Sequence, residues 1–227
     1  MANSQSKFYG ALAVILIAGA ALIAYVVMNN QRGAEAGAAD YSPPDLTGTD
    51  LVSADVGVFR GAEDAPVLIE EYADYQCPAC GMVATLTLPQ IFTDYVDTGK
   101  ARFVFYDFPL HPGNSELGAM AGRCAGDQNA FWAMQKVLFG RMREWGTERN
   151  PERRIRQYAD ALGLDGRALM DCVDSDKYRE VVLASQTRAR QLGLNQTPTF
   201  FINGRLVVGA LSYDGMSAAI EEELAKQ

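Results

Sequence analysis

The chain has 227 residues and a formal charge of −8, with a pI near 4.7. That length holds one medium domain with accessory segments, or at most two small domains. The acidic balance gives no electrostatic basis for binding nucleic acid, and 48% apolar against 21% charged residues excludes wholesale disorder.

From Phe8 to Met28 there are 21 residues without a charge. A helix of that length reaches about 31 Å, close to the hydrocarbon thickness of a bilayer. Tyr9 and Tyr25 stand near its ends, where interfacial anchors belong. The expectation is an N-terminal transmembrane helix, with residues 1–28 a short cytoplasmic tail and single-pass anchor. The alternative is a cleaved signal peptide, whose apolar region usually runs about 7–15 residues, with Ala34-Glu35-Ala36 as the processing site. Lys7 on one side and Arg32 on the other give a weak orientation signal, and the short tail favours a cytoplasmic N-terminus. Residues 29–50, rich in Ala, Gly, Asn and Asp and containing Pro43-Pro44, read as a linker. In either case residues 40–227 are exported to a compartment that permits disulfides.

The exported part alternates strand and helix patterns. Pro66 to Tyr72 has a strand's composition. Gly81 to Asp97 carries helical periodicity, with a kink expected at Pro89. Ala101 to Phe108 reads as a second buried strand. A block of about residues 114–192 is helical, punctuated by Gly163 and Gly193. Asn203-Gly204 between two apolar runs predicts a β-hairpin, and Ser217 to Ala225 a terminal helix. Strands at both ends of the block need one another, so residues 51–227 read as one α/β domain with a helical insertion.

Cys77-Pro78-Ala79-Cys80 falls between a strand and a helix. Free N–H groups and the dipole at a helix start stabilise an anion, so a thiol there has a lowered pKa, and the thiolate is the nucleophile. A structural zinc site needs four ligands; the chain has one histidine, His111, and its other cysteines, Cys124 and Cys172, are far apart in sequence. A purely structural disulfide and a non-catalytic metal- or partner-binding role are the remaining alternatives. Six arginines between Arg141 and Arg156 read as a solvated face, and Phe131-Trp132 as core.

Several ordered motifs resemble the DsbA-like thiol–disulfide oxidoreductases over about residues 50–227. They are Tyr75-Gln76-Cys77-Pro78-Ala79-Cys80, Leu88-Pro89-Gln90, Phe103 through Leu110, Arg123-Cys124-Ala125, and Gln196-Thr197-Pro198 through Gly204. The resemblance implies a thioredoxin fold with an inserted helical domain, working by exchange through Cys77 and Cys80. It implies that the Thr197–Pro198 bond is cis and that Thr197, Pro198, Pro78 and Ala79 meet the substrate. Glu71, six residues before Cys77, takes the place of a buried acid that serves the resolving thiol, unless Glu70 occupies the inward face instead. A subset of the family joins positions corresponding to Cys124 and Cys172 in a second disulfide; two buried free thiols are the alternative. No metal or organic cofactor is implied. The implied partners are exported cysteine-containing polypeptides and a quinone-linked membrane oxidase, with the catalytic domain outside a bacterial cytoplasmic membrane. Disulfide formation is the expected direction, with reductase or isomerase activity, or a non-enzymatic assembly role, as alternatives. The family's namesake has a histidine between its cysteines; Pro78-Ala79 in its place predicts a higher thiol pKa and a milder oxidant.

Overall fold

Two runs of apolar and β-branched residues build the centre of a five-stranded sheet. β2 (Val67–Ala73) and β3 (Ala101–Asp107) run parallel, with Ile69 opposite Phe103 and Glu71 opposite Phe105. β1 (Val58–Arg60) pairs antiparallel with β3, and β4 (Thr199–Ile202) and β5 (Arg205–Val208) form the Asn203-Gly204 hairpin against β2. The spatial order is β1-β3-β2-β4-β5. This computed structural model describes residues 52–111 and 114–227, together with Gly19, Ala21, Leu22 and Ala24, which are helical. The described residues from Val52 to Gln227 belong to one compact unit. The expected membrane span and the linker lie outside the described residues apart from those four, and among the described residues no helix is long and apolar enough to cross a membrane.

The strand alternation sorts β2 onto two faces. Val67, Ile69 and Ala73 enter the main core, which also holds both active-site cysteines, while Tyr72 joins Val104 and Tyr106 in a smaller core on the other side. The helix after β2 begins at Pro78, three residues earlier than its periodicity suggested. Cys77 is its N-cap and Pro78 its first residue, where a missing N–H costs nothing. The helix runs as α1 (Pro78–Met82), a π turn (Val83–Thr87), α2 (Leu88–Ile91) and a second π turn (Phe92–Val96). Pro89 has no N–H to offer the Thr85 carbonyl. The ladder widens there, and the Leu88 N–H bonds to the Val83 carbonyl.

Between β3 and β4 lie α3 (Asn114–Gly126), α4 (Phe131–Gly140), α5 (Met142–Trp145), α6 (Pro151–Ala161), α7 (Gly166–Asp174) and α8 (Arg179–Gln191). The terminal helix α9 (Tyr213–Leu224) starts four residues before its expected position, because Ser212 caps it through the Gly215 N–H. Helix α3 is tied to the sheet by the buried pair Arg123–Asp107, and Arg123 also donates to the Val56 carbonyl at 2.6 Å. Removing either partner strands the other charge in the core, typically at about 3–5 kcal/mol. Tyr75 stacks on Phe139 at 4.5 Å. It fits beneath α3 because Gly118 has no side chain; a Cβ there would come within 2.9 Å of the Tyr75 Cβ.

Cys124 and Cys172 form a disulfide that fastens α7 to α3 across 48 residues. Closing a loop of that length stabilises the fold by up to about 4 kcal/mol in the chain-entropy model. Replacing both by alanine should therefore lower the urea midpoint by the equivalent of about 2–4 kcal/mol, and coincident unfolding curves would contradict this.

Candidate active site

Cys77 stands at the carboxyl end of the sheet, where β2 passes into α1. Its Sγ accepts the Cys80 N–H at 3.4 Å and lies 3.3 Å from the Thr197 carbonyl oxygen, to which the protonated thiol donates. The Thr197–Pro198 bond is cis, and this turn leads directly into β4 beside β2. Both thiols are free; Cys77 retains 6% exposure and Cys80 none. Pro78 is exposed beside Cys77, and Ala79 is half-buried. The structure thus brings together Cys77, Cys80, Pro78, Ala79, Thr197 and Pro198.

The two sulfurs sit in opposite electrostatic settings. The Cys77 thiol is lowered from 9.0 to about 5. A hydrogen bond from the Cys80 thiol is the largest cause; burial opposes it, and the Thr197 side chain and the N–H groups of Cys80 and Ala79 add to it. The Cys80 thiol is pushed far up, first by burial, then by its hydrogen bond to Cys77 and by the negative charges of Cys77 and Glu71.

Glu71 shares the cysteine face of β2 and is 1% exposed. Neither carboxylate oxygen has a hydrogen-bond partner among the described residues. Burial, then the Cys77 thiolate, raise it to about 8, so the acid is neutral at pH 7. Glu70 points to the opposite face, where it meets Arg188 at 3.6 Å. Strand alternation thus separates two neighbouring glutamates that composition left equivalent.

One residue of the site had no mark in the sequence. Asp74, 1% exposed at the end of β2, accepts five hydrogen bonds. Two come from the N–H groups of Gln76 and Leu110, both at 2.7 Å. The others come from the His111 N–H at 2.9 Å, the His111 Nδ1 at 2.7 Å and the Ser115 hydroxyl at 2.6 Å. Its own carbonyl accepts the Cys77 N–H at 3.0 Å. Asp74 thereby braces the turn that presents Cys77 against the loop after β3 and the start of α3. His111 thus serves the turn rather than the sulfurs. Among the described residues no cluster of side chains is placed to hold a metal ion.

Two grooves flank the helix that carries the cysteines. One, of about 280 Å³, is lined by Met82, Val83, Leu86 and Thr87 on one side and residues 210–213 on the other. The second, of about 380 Å³, runs between Pro78, Gly81, Met82 and Thr85 and the junction of α4 with α5. Met82 and Leu86 are 53% and 68% exposed.

Comparison with known proteins agrees with this geometry. A family model described as thioredoxin matches residues 53–222. The chain is 26% identical over 221 residues to the probable disulfide bond formation protein D of Bacillus anthracis, covering 95% of this chain and 93% of that protein. Oxidised BdbD from Bacillus subtilis superposes with a TM-score of 0.69 at 25% identity, covering 77% of this chain and 96% of that one. Wolbachia pipientis α-DsbA1 gives 0.68 at 24% identity, with 75% and 92% covered, a likeness of fold.

A folded pKa below the unfolded one stabilises the reduced protein fully above pH 9.0; the gain shrinks as pH falls and is gone below about 5. Alkylation of Cys77 by iodoacetamide should accordingly titrate with a midpoint near 5, with Cys80 unreactive until unfolding; a midpoint at 9.0 would contradict the thiolate assignment.

Proposed function

The chain belongs to the thioredoxin family, and on that premise we propose that it is a DsbA-like thiol–disulfide oxidoreductase that forms disulfides in exported proteins. The observation that carries this reading is the asymmetry of the pair: Cys77 is stable as a thiolate at neutral pH and Cys80 is not. Stabilising the reduced form of a cysteine pair favours disulfide donation.

A client thiolate attacks Cys77 Sγ in the Cys77–Cys80 disulfide. The new bond joins client to Cys77, and Cys80 leaves with the electron pair. As a buried thiolate Cys80 is a poor leaving group, and neutral Glu71, on the same face, supplies its proton. A second client thiolate then attacks the client sulfur of the mixed disulfide. Cys77 departs as a low-pKa thiolate, the better leaving group of the two. The client gains one disulfide, the enzyme keeps two electrons as a Cys77 thiolate and a Cys80 thiol, and Glu71 regains from solvent a proton that the client thiols released. Thr197 and Pro198 hold the client's backbone beside Cys77, and a quinone-linked membrane oxidase takes the electrons away.

The same reading places the catalytic domain outside a bacterial cytoplasmic membrane, tethered through residues 29–50 to an anchor in residues 1–28. The uncharged run from Phe8 to Met28 supports the anchor, and the oxidising chemistry supports the compartment.

For Glu71→Gln, oxidation of a dithiol peptide followed by stopped flow should slow by roughly a hundredfold at pH 7, with the Cys77 alkylation midpoint still near 5. In the wild type the rate per client thiolate should fall at alkaline pH, as Glu71, raised above the usual carboxyl range by burial, loses its proton. An unchanged rate in the variant would remove Glu71 from the proton path.

A further inference from the structure

The helix that carries the cysteines has no charge besides that of Cys77. Residues 75–93 contain no acidic or basic residue, and the groove on the hairpin side is uncharged as well. Beyond the buried Asp74 and its partner His111, charged side chains approach Cys77 at the second groove, whose far wall is built from Phe139, Gly140, Arg141, Met142, Arg143 and Glu144. That groove opens beside Pro78, the residue next to the reacting sulfur.

Two helices meet on its floor at glycines, Gly81 and Gly140. A Cβ on Gly81 would lie 3.4 Å from the Phe139 carbonyl, and one on Gly140 would lie 3.6 Å from the Thr85 methyl. Met82 and Met142 line it with adaptable, polarizable side chains, suited to varied apolar partners. Arg141 is bound to Glu144 at 3.2 Å, whereas Arg143 is exposed and forms no ion pair among the described residues. Residues 139–158 carry six arginines against three glutamates in a chain whose net charge is −8. The arginine-rich stretch that reads as a solvated face in sequence therefore begins as the wall of a groove at the active site.

From this geometry we infer that the groove between α1 and the α4–α5 junction receives the client chain flanking the attacked cysteine and selects segments in which acidic and apolar residues alternate. The inference rests on the oxidoreductase reading and adds its substrate class. An extended chain alternates its side chains between two faces, so apolar residues meet Met82 and Met142 while acidic ones reach Arg143. Charges at such a rim act mainly on the rate of productive encounter and weaken with salt.

The test uses the full-length oxidised protein and two synthetic dithiol peptides. They are identical except that the residues flanking the first cysteine alternate leucine with glutamate in one and leucine with lysine in the other. The expected result is a kcat/KM roughly tenfold higher for the acidic peptide, a ratio that shrinks as salt is raised. Arg143→Glu should abolish or invert the ratio, and Arg167→Glu, the same charge change on exposed α7, should leave it intact. The salt dependence of the wild type serves as an independent readout should Arg143→Glu not fold. Equal kcat/KM values, or a preference that neither salt nor Arg143→Glu alters, would overturn the inference while leaving the oxidoreductase reading in place. Failure of the wild type to oxidise either peptide or glutathione would instead overturn that reading.

Discussion

The rest of the site depends on one constraint, a negative charge held on Cys77 Sγ at the first turn of a helix. Cys77 can carry it first because the Cys80 thiol one turn on donates a hydrogen bond to it, and then because the chain leaves β2 and enters α1 within four residues, putting unpaired N–H groups at the sulfur. The charge imposes conditions on its neighbours. Cys80 stays protonated and Glu71 neutral first because both are buried, and then because a second negative charge beside Cys77 would repel the first. The three groups form one coupled set in which a single charge is permitted at neutral pH.

Holding that charge requires a turn that does not move, and the helical insertion provides the rigidity. Asp74 gathers donors from the turn, from the loop after β3 and from the start of α3. Tyr75 and Gln76 are pressed against the helical block; Tyr75 packs beneath Gly118, and Gln76 lies over Gly146. Arg123–Asp107 and Cys124–Cys172 then keep α3 and α7 in register with the sheet. The insertion is thus part of how the reacting sulfur is positioned, and its α4–α5 junction also forms one wall of the groove beside that sulfur.

Much of this was legible in the sequence, for physical reasons that differ by residue. The C-x-x-C pair could be placed between strand and helix because each flank has its own period. Asn203-Gly204 marked its hairpin because the residues demand positive φ, observed at 46° and 81°. Other features depend on distant partners. β1 is three residues long and owes its form to β3, more than forty residues away. Glu71 and Glu70 differ only by which face of β2 the register assigns them. Asp74 carried no mark in the sequence because its partners beyond that turn lie 36 to 41 residues along the chain. The π turns escape an apolar pattern read at helical period, and Asp214 with Gly215 hid the first turn of α9.

The most direct measurement is the reduction potential of the Cys77–Cys80 pair in the full-length protein, equilibrated against glutathione and read by alkylation. A stabilised Cys77 thiolate beside a destabilised Cys80 predicts a value above about −180 mV, in the range of disulfide donors. A value near about −270 mV, where thioredoxin lies, would contradict disulfide donation and identify the pair as a reductant.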